Sequence, residues 1–268
     1  METIVRETLI SAITDYSTLM EDIHLFHHWV VVKAGRYEMS TCFSATPGLT
    51  ENPRDTWLGD LIGRKAAEIA QEYLASTDVL RIAVGMACLK CVIPPVPEFT
   101  VSSAIDPFSE QTKTRPTCFI GHFHDAEMWR DEGRPVSIVE LLPRPGDIRW
   151  DDSHGVLSRA KLVFMTGLTL VNGTFGEVIC RTPNATTRVI MGPTVPLTPS
   201  LFKLGLHRLG TSRIMDVNKT LRYFGMGGGS IMHAPQGALQ KINITRPDSP
   251  KLFDDRSGAA EVNLKGSE

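Results

Sequence analysis

Apolar residues Ile4, Val5, Leu9, Ile10 and Ile13, with Leu19 beyond them, recur near helical spacing and predict an amphipathic first helix within residues 4–20. The period then changes. His27 to Val32 and Tyr37 to Phe43 are two short runs joined near Gly35, the pattern of a β-hairpin. A polar stretch bearing Pro and Gly over 44–59 predicts an irregular loop. Helical spacing returns over 61–75 and again over 78–92, where Asp78 is a suitable N-cap and Ile82, Val84, Ala87 and Leu89 supply a buried side. Pro94-Pro95-Val96-Pro97 forbids any continuation of that helix.

From Thr117 onward short apolar runs alternate with helical stretches. Cys118-Phe119-Ile120, Val136 to Val139, Leu162 to Met165 and Val189-Ile190-Met191 are each strand-sized and followed by Gly121, Pro143, Gly167 and Gly192. This alternation describes βα units and a parallel sheet. A fifth strand is expected near Arg213 to Met215, before a helix from Val217 to Phe224. The fold class is therefore α/β: an α+β domain over residues 1–100, a linker over 101–116, a Rossmann-like parallel-sheet domain over 117–235 and a polar tail over 236–268. The linker is the second part of a Pro-, Ser- and Thr-rich stretch that begins at Pro94.

Composition narrows the function classes. A chain of 268 residues with 42% hydrophobic content can bury its own core without disulfides or a structural metal. Its 28 basic and 30 acidic residues leave a net charge of −2, which argues against nucleic acid as partner. The apolar runs are too short to cross a membrane. Glu2, Arg6 and Glu7 stand where a secretory signal would need an apolar core. Five cysteines, an odd number, do not read as a secreted disulfide framework, so a cytoplasmic protein with reduced thiols is expected.

In an open parallel sheet, ligands bind beyond the carboxyl ends of the strands, so the residues there are the candidates. Strand one ends in Gly121-His122-Phe123-His124 and strand two in Glu140. An acid about 20 residues past the first turn is where dinucleotide folds hold ribose hydroxyls. The first turn, GHFHDA, is however no GxGxxG loop, which disfavours NAD-type binding. His122 and His124 form an H-x-H pair whose imidazoles could meet one transition metal if the chain stays extended.

Strand three runs into TGLTLVNGT, where Gly167, Thr169, Asn172, Gly173 and Thr174 offer hydroxyl, amide and backbone groups at a strand-to-helix turn. Strand four ends in Gly192-Pro193-Thr194, of which Pro193 and Thr194 join the candidate ligand-binding set. Cys88-Leu89-Lys90-Cys91 has the spacing of a redox or soft-metal pair, but it lies late in its helix and no second C-x-x-C completes a zinc site. Lys90 could aim a cation into a cleft between domains. His27 and His28, adjacent on a strand, would face opposite ways.

TGLTLVNGTFGEVI (166–179) followed by IMGPTVPLTPSLFKLG (190–205), with GHF (121–123) and Glu140-Leu141-Leu142-Pro143 before them, resembles the DUF364 family, which is named for heavy-metal chelation. The N-terminal half, with VGMACLKC (84–91), resembles the DUF4213 domain that usually precedes it and that has an enolase N-terminal-like fold. The resemblance implies a cleft between the two domains and a link to metal chelation or metallophore metabolism. One departure stands out: where the helix before the linker commonly carries an amide near its end, this chain has Lys90.

The resulting expectation is a binding or enzymatic protein of chelator metabolism whose partner is a small molecule or a metal chelate, with neither nucleic acid nor membrane. A homo-oligomer is left open. The alternatives are an enzyme using a nucleotide-like cofactor such as S-adenosylmethionine, with Glu140 on the ribose, and a non-catalytic carrier of a metal complex.

Overall fold

The computed structural model describes residues 2–42 and 58–247. The expected loop over 44–59 lies, up to residue 57, outside them. Helix α1 (Glu2–Ile10) buries Val5 and Leu9, but it stops well short of residue 20. Thr14 N–H and Asp15 N–H both turn to Val92 O, and the Asp15 carboxylate then collects Ser17 and Thr18 N–H groups and hydroxyls. An Asp that binds its own downstream backbone offers the chain an alternative to the helix.

Strands β1 (Asp22–Leu25), β2 (Trp29–Ala34) and β3 (Arg36–Thr41) form a three-stranded antiparallel sheet in that order. The expected hairpin is β2–β3, with Ala34 paired to Arg36 around Gly35. His27 and His28 fall in the β1–β2 turn rather than on a strand, and their rings lie 4.3 Å apart instead of facing opposite ways. Helices α2 (Ala66–Tyr73) and α3 (Val79–Val92) pack against each other, and α3 packs on β2 and β3. Asp78 caps α3 as expected, accepting Arg81 N–H at 2.7 Å. No described helix is long and apolar enough to cross a membrane.

The second sheet comprises β4 (Thr117–Ile120), β5 (Val136–Glu140), β6 (Ile148–Arg149), β7 (Leu162–Thr166), β8 (Thr187–Met191), β9 (Arg208–Ile214) and β10 (Leu239–Thr245). Their order is β10-β9-β8-β7-β4-β5-β6, parallel throughout except for β10, which runs antiparallel to β9. Counted from β4, this is the 3-2-1-4-5-6 order of a doubly wound sheet with one added edge strand. The order reverses between β4 and β7.

Alternate strand residues feed opposite faces. Phe119, Ile138 and Phe164 pack beneath helix α4 (His124–Asp131), against Ala126 and Trp129. Cys118, Val163 and Ile190 pack beneath helices α5 (His154–Arg159) and α6 (Phe175–Arg181), against Leu157 and Val178. That second cluster continues without a break into α1, α2 and α3, so both sheets share one core.

Two expectations about the connections fail. Residues 101–116 are no free linker: Ala104, Ile105 and Phe108 are buried, with the Phe108 ring 5.3 Å from that of Phe164. Three apolar residues in a Pro- and Ser-rich stretch suffice to pin it. Nor does a tail begin at 236, because Leu239–Thr245 completes the sheet and Asn243 exchanges backbone hydrogen bonds with Thr100 at 2.9 and 3.0 Å. Helix α7 (Val217–Gly225) precedes it, capped by Asp216.

Candidate functional site

The turn leaving β7 meets the N-terminal half across a cavity of about 410 Å³. Thr166 Oγ1 accepts Leu168 N–H and starts a short 3-10 turn over Gly167–Leu170, after which the chain enters α6. Asn172 Oδ1 holds the next bend by accepting Thr174 N–H at 3.1 Å and Thr174 Oγ1 at 2.8 Å. Thr169, Asn172 and Gly173 therefore line the cavity. On the other side stand the first turn of α1 and the α2–α3 connection, including Glu2, Arg6 and Thr77.

The remaining expected site residues are not gathered there. Gly167 is packed tightly: a Cβ on it would come within 2.7 Å of Val195 Cγ2. Thr174 is occupied in the bend itself. Thr194 Oγ1 accepts Thr41 N–H at 3.0 Å and Ser40 Oγ at 3.4 Å, so the turn after β8 is closed against β3. Lys90 lies outside the cavity: its side chain is 4% exposed, and its ammonium meets Glu38, Met39 O and Pro193 O.

His122, Phe123 and Glu140 sit at the ends of β4 and β5. His122 Nε2 lies 2.5 Å from Asp147 Oδ2 and Nδ1 lies 2.9 Å from Glu127 Oε1, so carboxylates face both ring nitrogens. Asp147 also meets Arg130 at 3.1 Å, and its side chain is fully buried. Burial pushes the Asp147 carboxyl up, but Arg144 N–H, His122 and Arg130 together hold it below its ordinary range. Glu140 accepts Leu141 N–H at 3.2 Å, and burial raises its carboxyl above the ordinary range despite the neighbouring imidazole. Phe123 packs its ring 5.7 Å from that of Phe119.

The H-x-H metal pair does not form. Strand β4 ends at Ile120, Gly121 turns the chain at a φ of +102°, and His124 opens α4 as an exposed residue. No group of three or more His, Cys, Asp or Glu poised to hold a metal ion occurs among the described residues.

The cysteine motif faces the core. Cys88 is fully buried and Cys91 nearly so; burial pushes both thiols up, Cys91 to about 12.

Sequence reasoning missed Glu2 and Arg6, which line the cavity. The available signal was their four-residue spacing beside the buried stripe of Val5 and Leu9, which sets both charges along one border of the helix.

These features define a class: a doubly wound α/β sheet with a small α+β unit set over the turns that leave β7 and β8. The chain belongs to the DUF364 family, whose model, described as "Putative heavy-metal chelation", matches residues 103–243. The DUF4213 model, with the same description, matches residues 6–93. A DUF364-family protein of unknown function from Desulfitobacterium hafniense has a similar fold, with a TM-score of 0.74 at 20% identity over 90% of this chain and 97% of that one. Another from Pyrococcus horikoshii gives 0.69 at 18% identity, over 91% and 99%. An uncharacterized protein of Methanocaldococcus jannaschii is 34% identical over 92 residues, which is 34% of this chain and 35% of the relative. The match thus spans about a third of that relative's length.

Proposed function

We propose that this protein binds a small polar molecule of the metal-chelator class in the cavity between α1, the α2–α3 connection and the turn after β7. The cavity itself carries the reading. It measures about 410 Å³ and adjoins one of the two strands at which the sheet order reverses. Ligands of doubly wound sheets bind at that reversal, and small-molecule sites typically enclose roughly 300–1,000 Å³. The family description supplies the ligand class.

The test is thermal melting of the whole chain with nitrilotriacetate, with nickel nitrilotriacetate and with nickel alone. Ala75, exposed at the rim, can be replaced by Trp to fill the cavity without disturbing the core. Stabilisation by at least one chelator form that Ala75→Trp abolishes is the expected result. No stabilisation by either form, or an undiminished shift in the variant, would refute the proposal.

A second reading rests on Glu140. It is the last residue of the strand next to β4, the position from which an acid can hold ribose hydroxyls. Asp125 and Glu127 in the first turn of α4 oppose a pyrophosphate, so a nucleoside lacking one, such as S-adenosylmethionine, fits better. Stabilisation by S-adenosylmethionine that Glu140→Ala removes is the result expected of this reading.

A further inference from the structure

Two charges of opposite sign border the cavity, and neither has a partner among the described residues. Glu2 and Arg6 stand four residues apart on α1, with the acid on the N-terminal side, the arrangement in which such residues normally pair along a helix. Here they do not pair, and both line the cavity.

The Glu2 carboxylate instead lies against Gly173, where a Cβ would come within 2.9 Å of Oε1. Gly173 has a φ of +74°, and its missing side chain is what admits the carboxylate. Arg6 is half-buried. On the facing turn, Asn172 has committed its oxygen to Thr174, so the group it can still offer a ligand is its NH2, a donor.

A lone anion would be drawn to Arg6 and repelled by Glu2, and a lone cation the reverse. A molecule carrying both charges satisfies both side chains. We infer that the cavity selects a zwitterionic aminocarboxylate, its carboxylate held by Arg6 and the Asn172 amide and its ammonium by Glu2. This rests on reading the cavity as the ligand site.

Iminodiacetate and glutarate separate the alternatives, because they have the same chain length and two carboxylates, and only the first carries an ammonium. Titration calorimetry should give iminodiacetate a Kd about two- to fivefold below that of glutarate, the scale of one charge pair at an exposed carboxylate. Glu2→Gln should bring that ratio close to one, and Arg6→Gln should weaken both ligands. Gly173→Ala, which displaces the Glu2 carboxylate, should act like Glu2→Gln.

Equal binding of the two probes by the unaltered protein would overturn the zwitterion inference while leaving the cavity as a ligand site. Binding of neither probe would also overturn it, whereas the cavity reading stands or falls separately on the Ala75→Trp test. Circular dichroism of each variant establishes that it is folded.

Discussion

Lys90 Nζ donates to the carbonyl oxygen of Pro193 at 2.6 Å across the boundary between the two sheets. Its other neighbours, Met39 O and Glu38 Oε2, both at 3.0 Å, belong to β3. An ammonium has three N–H groups, and here they face three acceptors. Lys90 therefore fastens α3 and β3 to the turn after β8. The Arg36 guanidinium, which caps α3 through Lys90 O and Ile93 O, completes the joint.

Replacing Lys90 with Met keeps the volume and removes all three donors. Two carbonyls and the Glu38 carboxylate would then be left facing an apolar side chain. A loss of about 3–5 kcal/mol is expected, as for any buried ion pair deprived of one partner. Urea denaturation measures it. A loss below about 1 kcal/mol would show that the joint contributes little to holding the two sheets together.

The limits of sequence reading are visible at this joint. Apolar period and punctuation located β4, β5, β7 and β8 within a residue or two, because strands buried on both faces read as nearly continuous apolar runs. They also located α3 with its cap. Periodicity cannot tell which strand ends stay open. Pro193 and Thr194 lie at the expected sheet edge, yet β3 and Lys90 close over them, and β3 is some 150 residues away in sequence. Glu2 and Arg6 escaped notice for the converse reason. On a short amphipathic helix, charges beside the buried stripe look like any solvated face, and only the approach of the turn after β7 gives them an enclosed space to border. The strand β10 was missed because Leu239, Ile242 and Ile244 are too few and unevenly spaced to show a period.

Asp147 and Glu140 should give acid stability opposite slopes. The folded-state pKa of Asp147 lies below its unfolded value, so its contribution is present above the unfolded value and is lost as pH falls through the folded one. Asp147→Asn should therefore destabilise the protein at pH 7 by about 3 kcal/mol, since His122 and Arg130 lose their buried carboxylate, and should flatten the acid limb of the stability curve. Glu140 has a raised folded-state pKa, so its contribution is present below the unfolded value and falls away as pH rises through the folded one. Glu140→Gln should leave stability at pH 7 unchanged or increased. Denaturant midpoints between pH 3 and pH 8 for both variants check the two signs, and a neutral-pH loss in Glu140→Gln as large as that in Asp147→Asn would contradict the assignment.

Thiol reactivity should follow burial. Cys180 is exposed, whereas Cys88, Cys91 and Cys118 are buried, with the last two pushed up to about 12. Only the thiolate attacks a disulfide reagent. Native protein at pH 8 should therefore show fast reaction at Cys180 and slow reaction at Cys88, Cys91 and Cys118, which become available on unfolding. Rapid modification of both Cys88 and Cys91 in the folded protein, followed by peptide mapping, would restore the redox reading of the C-x-x-C.

The two atoms of the Asn172 amide can be tested separately. Its oxygen accepts Thr174 N–H and Oγ1 and shapes the turn into α6, whereas its nitrogen is the group that the zwitterion inference assigns to a ligand carboxylate. Asn172→Ala removes both and should cost about 1 kcal/mol without any ligand, the usual loss for a side chain that ties down a backbone N–H at a helix entry. Asn172→Asp keeps an acceptor in the same place and replaces the donor with a negative charge. It should melt near the unaltered protein when empty, yet lose most of the stabilisation by iminodiacetate, because a second carboxylate now faces the ligand's own. Thermal melting of the three proteins with and without iminodiacetate distinguishes the roles. If Asn172→Asp retained the full ligand shift, the amide nitrogen would have no part in binding and Asn172 would serve the turn alone.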